Sequence, residues 1–166
     1  MKKWTSYDLA QVSLLASFIA TTGSIKIPTG IAGSEFQLSA PIAVAIAAVF
    51  GFKRYITAGI IASLLLFLLG MHNLLNIEIA MVFRLVAGGL VALFGTSLPV
   101  LMLAGPIGSA AARFILAFSL GIPADPLIAA ALPGMVFTAL TVWPLKQLFE
   151  KTSKKTEVRH HAKRAL

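Results

Sequence analysis

Six apolar segments, parted by short polar or Gly/Pro breaks, constrain this chain more than any other feature. They cover residues 7–22, 39–50, 55–69, 76–94, 98–120 and 126–148. Inside a bilayer every backbone polar group must be satisfied within the protein, so apolar runs of this kind form helices. Charged residues make up 12% of the chain and hydrophobic residues 58%, against about 25% charged in an ordinary soluble domain. The fold class expected is therefore an all-α integral membrane protein, a compact bundle of six transmembrane helices. Several segments fall short of the ~20 residues that cross a bilayer upright. The second is the shortest, which predicts that it extends into the preceding loop or sits off-centre in the bundle.

Charge sets the orientation. With the N-terminus inside and alternating spans, the inner face collects Lys2, Lys3, Lys53, Arg54 and the tail residues Lys146, Lys151, Lys154, Lys155, Arg159, Lys163 and Arg164. The outer face collects Lys26, while Arg84 and Arg113 fall within spans. The positive-inside rule then places both termini in the cytoplasm of a multi-pass plasma-membrane protein. Trp4, Tyr7, Tyr55 and Trp143 fall near the inner boundary, as an aromatic belt does. The first segment carries Ser13, Ser17, Thr21 and Thr22 and no small-x-small cleavage site follows, so it reads as a span rather than a signal peptide. Residues 1–150 form the expected membrane domain, and residues 151–166 a basic cytoplasmic tail, expected to be mostly unstructured for want of apolar residues. A basic tail after a span attracts anionic headgroups and does not imply nucleic-acid binding.

Function classes narrow by chemistry. The chain has no cysteine, which removes disulfides, thiolate metal sites and thiol nucleophiles. It shows no Walker, HExxH or GxSxG pattern, so no enzymatic activity, metal or cofactor is expected. His160 and His161 sit among tail charges and read as solvated. An ion-coupled pump usually carries acidic groups at mid-membrane, and the spans place none there. The pattern is that of a binding subunit driven by another protein.

Polar groups concentrate in the outer half. The loop "TGSIKIPTGIAGSEFQLSAP" carries Glu35, Phe36, Gln37 and Ser39, and reads either as a lid or as a connector packed on the bundle. The turn "GMHNLLN" supplies His72, Asn73 and Asn76. Arg84 lies about two turns into the fourth span and Arg113 about two turns below the outer end of the fifth, both too deep for easy snorkelling. Gly88, Gly105, Gly108, Ser109 and Ala112 let neighbouring helices approach these faces closely. Glu78 has two readings. With Asn76 as N-cap it sits in a first turn, where the macrodipole favours it without any function. It could instead serve a ligand or pair with Arg113, since six residues of spacing put it about 240° around the helix from Arg84. A lone surface His72 is usually just solvated. Taken together, these residues describe a polar-lined pocket opening outward. A structural subunit, whose buried charges only join helices, is the competing class.

Across nearly the whole chain, to about Glu150, the sequence resembles a substrate-binding S component of the energy-coupling factor (ECF) vitamin transporters. The resemblance lies in the six-span plan, the long first loop with "IPTG", the following "SAPIAVAIAAVFGFKR", and the Ala16-to-Ala20 step in the first helix. It implies a vitamin-like substrate bound near the outer face under the first loop. It also implies a partner T component with two ATPase subunits, and a coupling surface of Ala16 and Ala20 with Ser13 and Ser17. Gln37, Ser39 and the outer-half residues of the fourth and fifth helices would meet substrate. Within the family, "GSEFQLSAPIAVAIAAVFGFKR" is most similar to the branch that takes up α-ribazole, a cobamide precursor, in which the ATPase module can be absent. α-Ribazole has little negative charge, whereas two pocket arginines suit a carboxylate, phosphate or carbonyl-rich solute. An S component for another vitamin, riboflavin or pantothenate among them, is the alternative.

Overall fold

The described residues form six helices and one short ribbon: α1 (Ser6–Ser24), β1 (Lys26–Pro28), β2 (Glu35–Gln37), α2 (Ser39–Phe50), α3 (Phe52–Leu68), α4 (Leu74–Phe94), α5 (Leu98–Leu120) and α6 (Ala124–Arg164). The computed structural model describes residues 4–28 and 35–164, with side chains for 4–25 and 38–154. Three helices are long and apolar enough to cross a membrane: α4, α5 and α6 as far as Lys154. α1 has comparable length but is diluted by Gln11, its serines and its threonines. α3 has 17 residues and α2 only 12.

α2 is where the structure departs most from expectation. It neither extends into the loop nor sits off-centre. Residues 41–47 are all buried, and α2 packs against each of the other five helices. A helix that is apolar all round belongs in a core. At about 1.5 Å per residue it is roughly 18 Å long, and its neighbours rather than lipid surround it.

Small residues set the helix spacing. A Cβ on Gly59 would lie 2.5 Å from the Arg84 side chain, and one on Gly88 would lie 2.6 Å from the Tyr55 ring. These two contacts are reciprocal. Tyr55 and Gly59 are one turn apart on α3, Arg84 and Gly88 one turn apart on α4, and each large side chain fills the gap left by the opposite glycine. Gly108 of α5 receives Ala87 and Phe83 of α4, and Gly105 receives Thr138 of α6. The α4–α5 pair is antiparallel, since the Glu78 carboxylate meets Ser119 toward one end.

The ends carry the polar fastenings. Thr5 caps α1 in a capping box: its hydroxyl accepts from the Asp8 amide, and the Asp8 carboxylate accepts from the Thr5 amide at 3.0 Å. The other oxygen of Asp8 accepts from Arg54 of α3 at 2.6 Å, tying the two N-termini together. In α6, Lys146 bonds Glu150 at 3.1 Å and lies over the Trp143 ring.

Two further expectations change. The first loop, expected to be irregular, holds an antiparallel ribbon, Lys26 opposite Gln37 and Pro28 opposite Glu35, with β2 beside α6 and α1, within an otherwise all-helical bundle. Residues 29–34 of the expected lid lie outside the described residues. The tail is not a separate unstructured segment: α6 continues through residue 150 to Arg164 without a break. Its residues are mostly good helix formers, and propagation of an existing helix needs no new nucleus.

Adding a methyl at Gly108 would bring it within 2.9 Å of Ala87 Cβ and 3.2 Å of the Phe83 carbonyl oxygen. Gly108→Ala is expected to destabilise the bundle by about 1–3 kcal/mol, read as a lower melting temperature in detergent. At Gly89 an added Cβ meets nothing within 4 Å, and Gly89→Ala should leave stability unchanged or raise it.

Candidate functional site

α4 begins at Leu74, with Asn73 rather than Asn76 as its N-cap: the Asn73 side chain accepts from the Asn76 amide at 2.9 Å. This shifts the two charges of the helix. Glu78 leaves the first turn, so the macrodipole gives it little support. Arg84 becomes the middle residue of a 21-residue helix, about 15 Å from either end at 1.5 Å per residue.

Arg84 is 7% exposed. Its Nη1 donates to Ser63 Oγ of α3 at 2.6 Å, and its methylene stem lies over Gly59. Tyr55 is fully buried, its ring against Gly88, one turn from Arg84 on α4. Its hydroxyl has no hydrogen-bond partner among the described residues. A guanidinium has five N–H donors, and one is used here. Burying such a charge costs roughly 2.5–3.5 kcal/mol even on the lenient insertion scale.

The acidic residues whose side chains are described do not offset it. Asp8 is engaged by Thr5 and Arg54, and Glu150 by Lys146. Glu78 accepts from Ser119, not from Arg113 as one reading of the sequence had it; Ser119 sits at the α5 terminus, level with Glu78. Asp125 is exposed at the start of α6. The side chains of Glu35 and Glu157, the remaining two acids, lie outside the described residues. Among the described residues, then, no carboxylate reaches Arg84.

The other sequence-derived residues separate into groups. Arg113 is half-buried on α5. The helix register sets it at about the depth of Arg84, since Glu78 meets Ser119 on one side of this level and Ala87 meets Gly108 on the other. His72 is buried in the α3–α4 turn, while Asn73 is exposed and Asn76 half-buried beside it. Ser39 starts α2 near Gly23 of α1. Glu35, Phe36 and Gln37 form β2, and their side chains lie outside the described residues. The four coupling residues divide by face. Ala16 is 1% exposed and belongs to the core, and Ala20 is half-buried against it. Ser13 and Ser17 are exposed, with the Ser17 hydroxyl donating to the Ser13 carbonyl. Ala16 lies on the stripe Val12–Ile19–Gly23 that α1 turns inward, so of the four the serines present the most outer surface.

Tyr55 and Ser63 were not singled out as site residues. Their signal is the i, i+4 stripe Tyr55–Gly59–Ser63 on α3, which becomes legible only when Arg84 is set opposite it. An apolar groove of about 370 Å³ between α5 and α6, lined by Ile107, Ala110, Ala111, Phe114, Ile115 and Ile128, is separate from this cluster and offers no polar group.

No protein-family model matches the chain, and no solved structure matches it. Protein BioX of Lysinibacillus sphaericus is 60% identical over 166 residues, covering the whole of both chains. Identity of that extent leaves no segment of the bundle unaccounted for, and the chain belongs to the BioX family.

Proposed function

We propose that this chain is a membrane uptake protein of the ECF S-component type, which binds a vitamin or vitamin precursor within its helix bundle. The observation that carries this reading is Arg84: a buried guanidinium at mid-bundle with one protein hydrogen bond and no described carboxylate partner. Such a group fits a solute that arrives with its own acceptors. The six-span plan, the plasma-membrane location and the cytoplasmic termini belong to the same reading. Lys53, Arg54, Lys151 and Lys154 then lie on the inner side, with His72, Asn73 and Ser119 at the outer end. We propose no catalysis.

The solute class follows from name and chemistry together. The stem of the name BioX points toward biotin, not toward cobamides. It therefore favours the broader alternative, an S component for another vitamin, over α-ribazole. α-Ribazole would also bring little negative charge to Arg84, whereas biotin and acids like it end in a carboxylate. Glu35, Phe36, Gln37, Ser39, His72 and Asn76 remain the proposed outer contacts, with Arg113 a proposed deeper one at about the level of Arg84. A T component with two ATPase subunits is the proposed driver, docked on the Ser13–Ser17 face of α1, beside exposed Leu14 and Phe18.

The Arg84–Ser63 bond also favours a second reading, in which the charge simply joins helices in a structural subunit. Mass spectrometry of small molecules that co-purify with the protein, followed by uptake into vesicles, separates the two. A co-purifying vitamin-like solute that is also taken up supports transport. Absence of any such solute, with no melting-point shift across a vitamin panel, sinks it. For coupling, Ser17→Trp is expected to stop uptake while ligand-induced thermal stabilisation persists. Unimpaired uptake in that variant would mean the α1 face couples to nothing.

A further inference from the structure

We propose that the α3–α4 seam seats the solute's acid group, a carboxylate held by Arg84 with the hydroxyls of Ser63 and Tyr55 completing its shell. This rests on the uptake reading and names the part of the solute that is recognised and where. Each polar group in the seam has a proton left to give. Arg84 has donors beyond the one given to Ser63. Ser63 Oγ accepts that bond, which leaves its own proton to give. The Tyr55 hydroxyl is fully buried with no partner among the described residues. The seam thus holds a guanidinium and two hydroxyls with protons left to give and, among the described residues, no carboxylate. The permanent charge on Arg84 makes that set complement an anion and repel a cation. A carboxylate is planar with two acceptor oxygens, and the guanidinium fork matches it in two parallel bonds.

The seam also lies deep. Arg84 is the central residue of α4, so the acid group would sit near mid-membrane with the rest of the solute extending toward the first loop. Gly59 makes this possible: a Cβ there would meet Arg84 Cδ and Nε at 2.5 Å and push the guanidinium off Ser63. Glu35 is the rival counter-ion, since its side chain lies outside the described residues.

The test compares biotin and octanoate, each beside its primary amide, binding to the full-length protein in detergent by calorimetry and thermal shift. The acids are expected to bind at least about tenfold more tightly than the amides, a charge-assisted pair being worth that much. Arg84→Gln should erase the gap, and Arg84→Lys, which keeps charge but loses the fork, should narrow it. If Arg84→Gln does not fold, Tyr55→Phe and Ser63→Ala carry the test, each narrowing the gap. Amides that bind as well as acids, or a gap unchanged in these variants, would overturn the proposal while leaving uptake standing. So would Glu35→Gln, if it lowers ligand-free stability as Arg84→Gln does, because Glu35 would then be the counter-ion. If neither acid binds the wild-type protein but another vitamin is taken up, the acid seat falls and uptake survives. If nothing binds or is taken up, both fall.

Discussion

The structure depends on two side chains filling two gaps. Tyr55 and Arg84 are among the largest side chains in the bundle, and each lies against the glycine opposite. Without Gly59 and Gly88, α3 and α4 would stand farther apart and Ser63 would not reach the guanidinium. The same device recurs where Ala87 meets Gly108 and where Thr138 meets Gly105, so one spacing runs from α3 through α6. In lipid no hydrophobic force drives helix against helix, and close van der Waals packing of this kind has to supply the association. The short α2 sits among these helices with its central residues wholly enclosed.

Charge is distributed unevenly along this frame. At one end Asp8 saturates its oxygens with Thr5 and Arg54, and Lys146 and Glu150 pair on α6. At the other, Glu78 takes a proton donor from Ser119 and Asn73 caps its own helix. The ends are thus satisfied by the protein itself. The middle is not: Arg84 has a hydroxyl partner where a buried cation ordinarily has a carboxylate. Because the ends have their partners, the deficit in the middle stands out as the place where something from outside would bind.

Much of this was legible in the sequence, and the parts that were not share a cause. The C-terminal bound of α2 and both bounds of α5 follow from Gly51, Ser97 and Gly121, which punctuate the chain sharply. Arg84 stood out because a charge in an apolar run costs energy wherever the helix points. Facing was harder. The family resemblance makes the Ala16–Ala20 step a surface, yet Ala16 turns inward, because α1 is only weakly amphipathic and small residues fit either face. The shift of the α4 cap from Asn76 to Asn73 was hidden by two asparagines with equal capping ability, three residues apart. The Asp8–Arg54 pair joins residues 46 apart, which no local pattern announces. The ribbon fell within a loop whose glycines and prolines predict only irregular chain.

Whether Arg84 is glue or recognition turns on what glue requires. One hydrogen bond between helices can come from a serine, threonine, asparagine or glutamine at far lower desolvation cost. Helix association therefore does not call for a permanent charge, still less one with donors left over. Tyr55 makes the same argument independently. Its ring fills the gap at Gly88, and a phenylalanine would do so equally well without burying a hydroxyl. Two neighbouring positions thus each carry one more polar group than packing needs, and both groups have protons to give. Packing alone explains neither excess, while a shared anionic guest explains both.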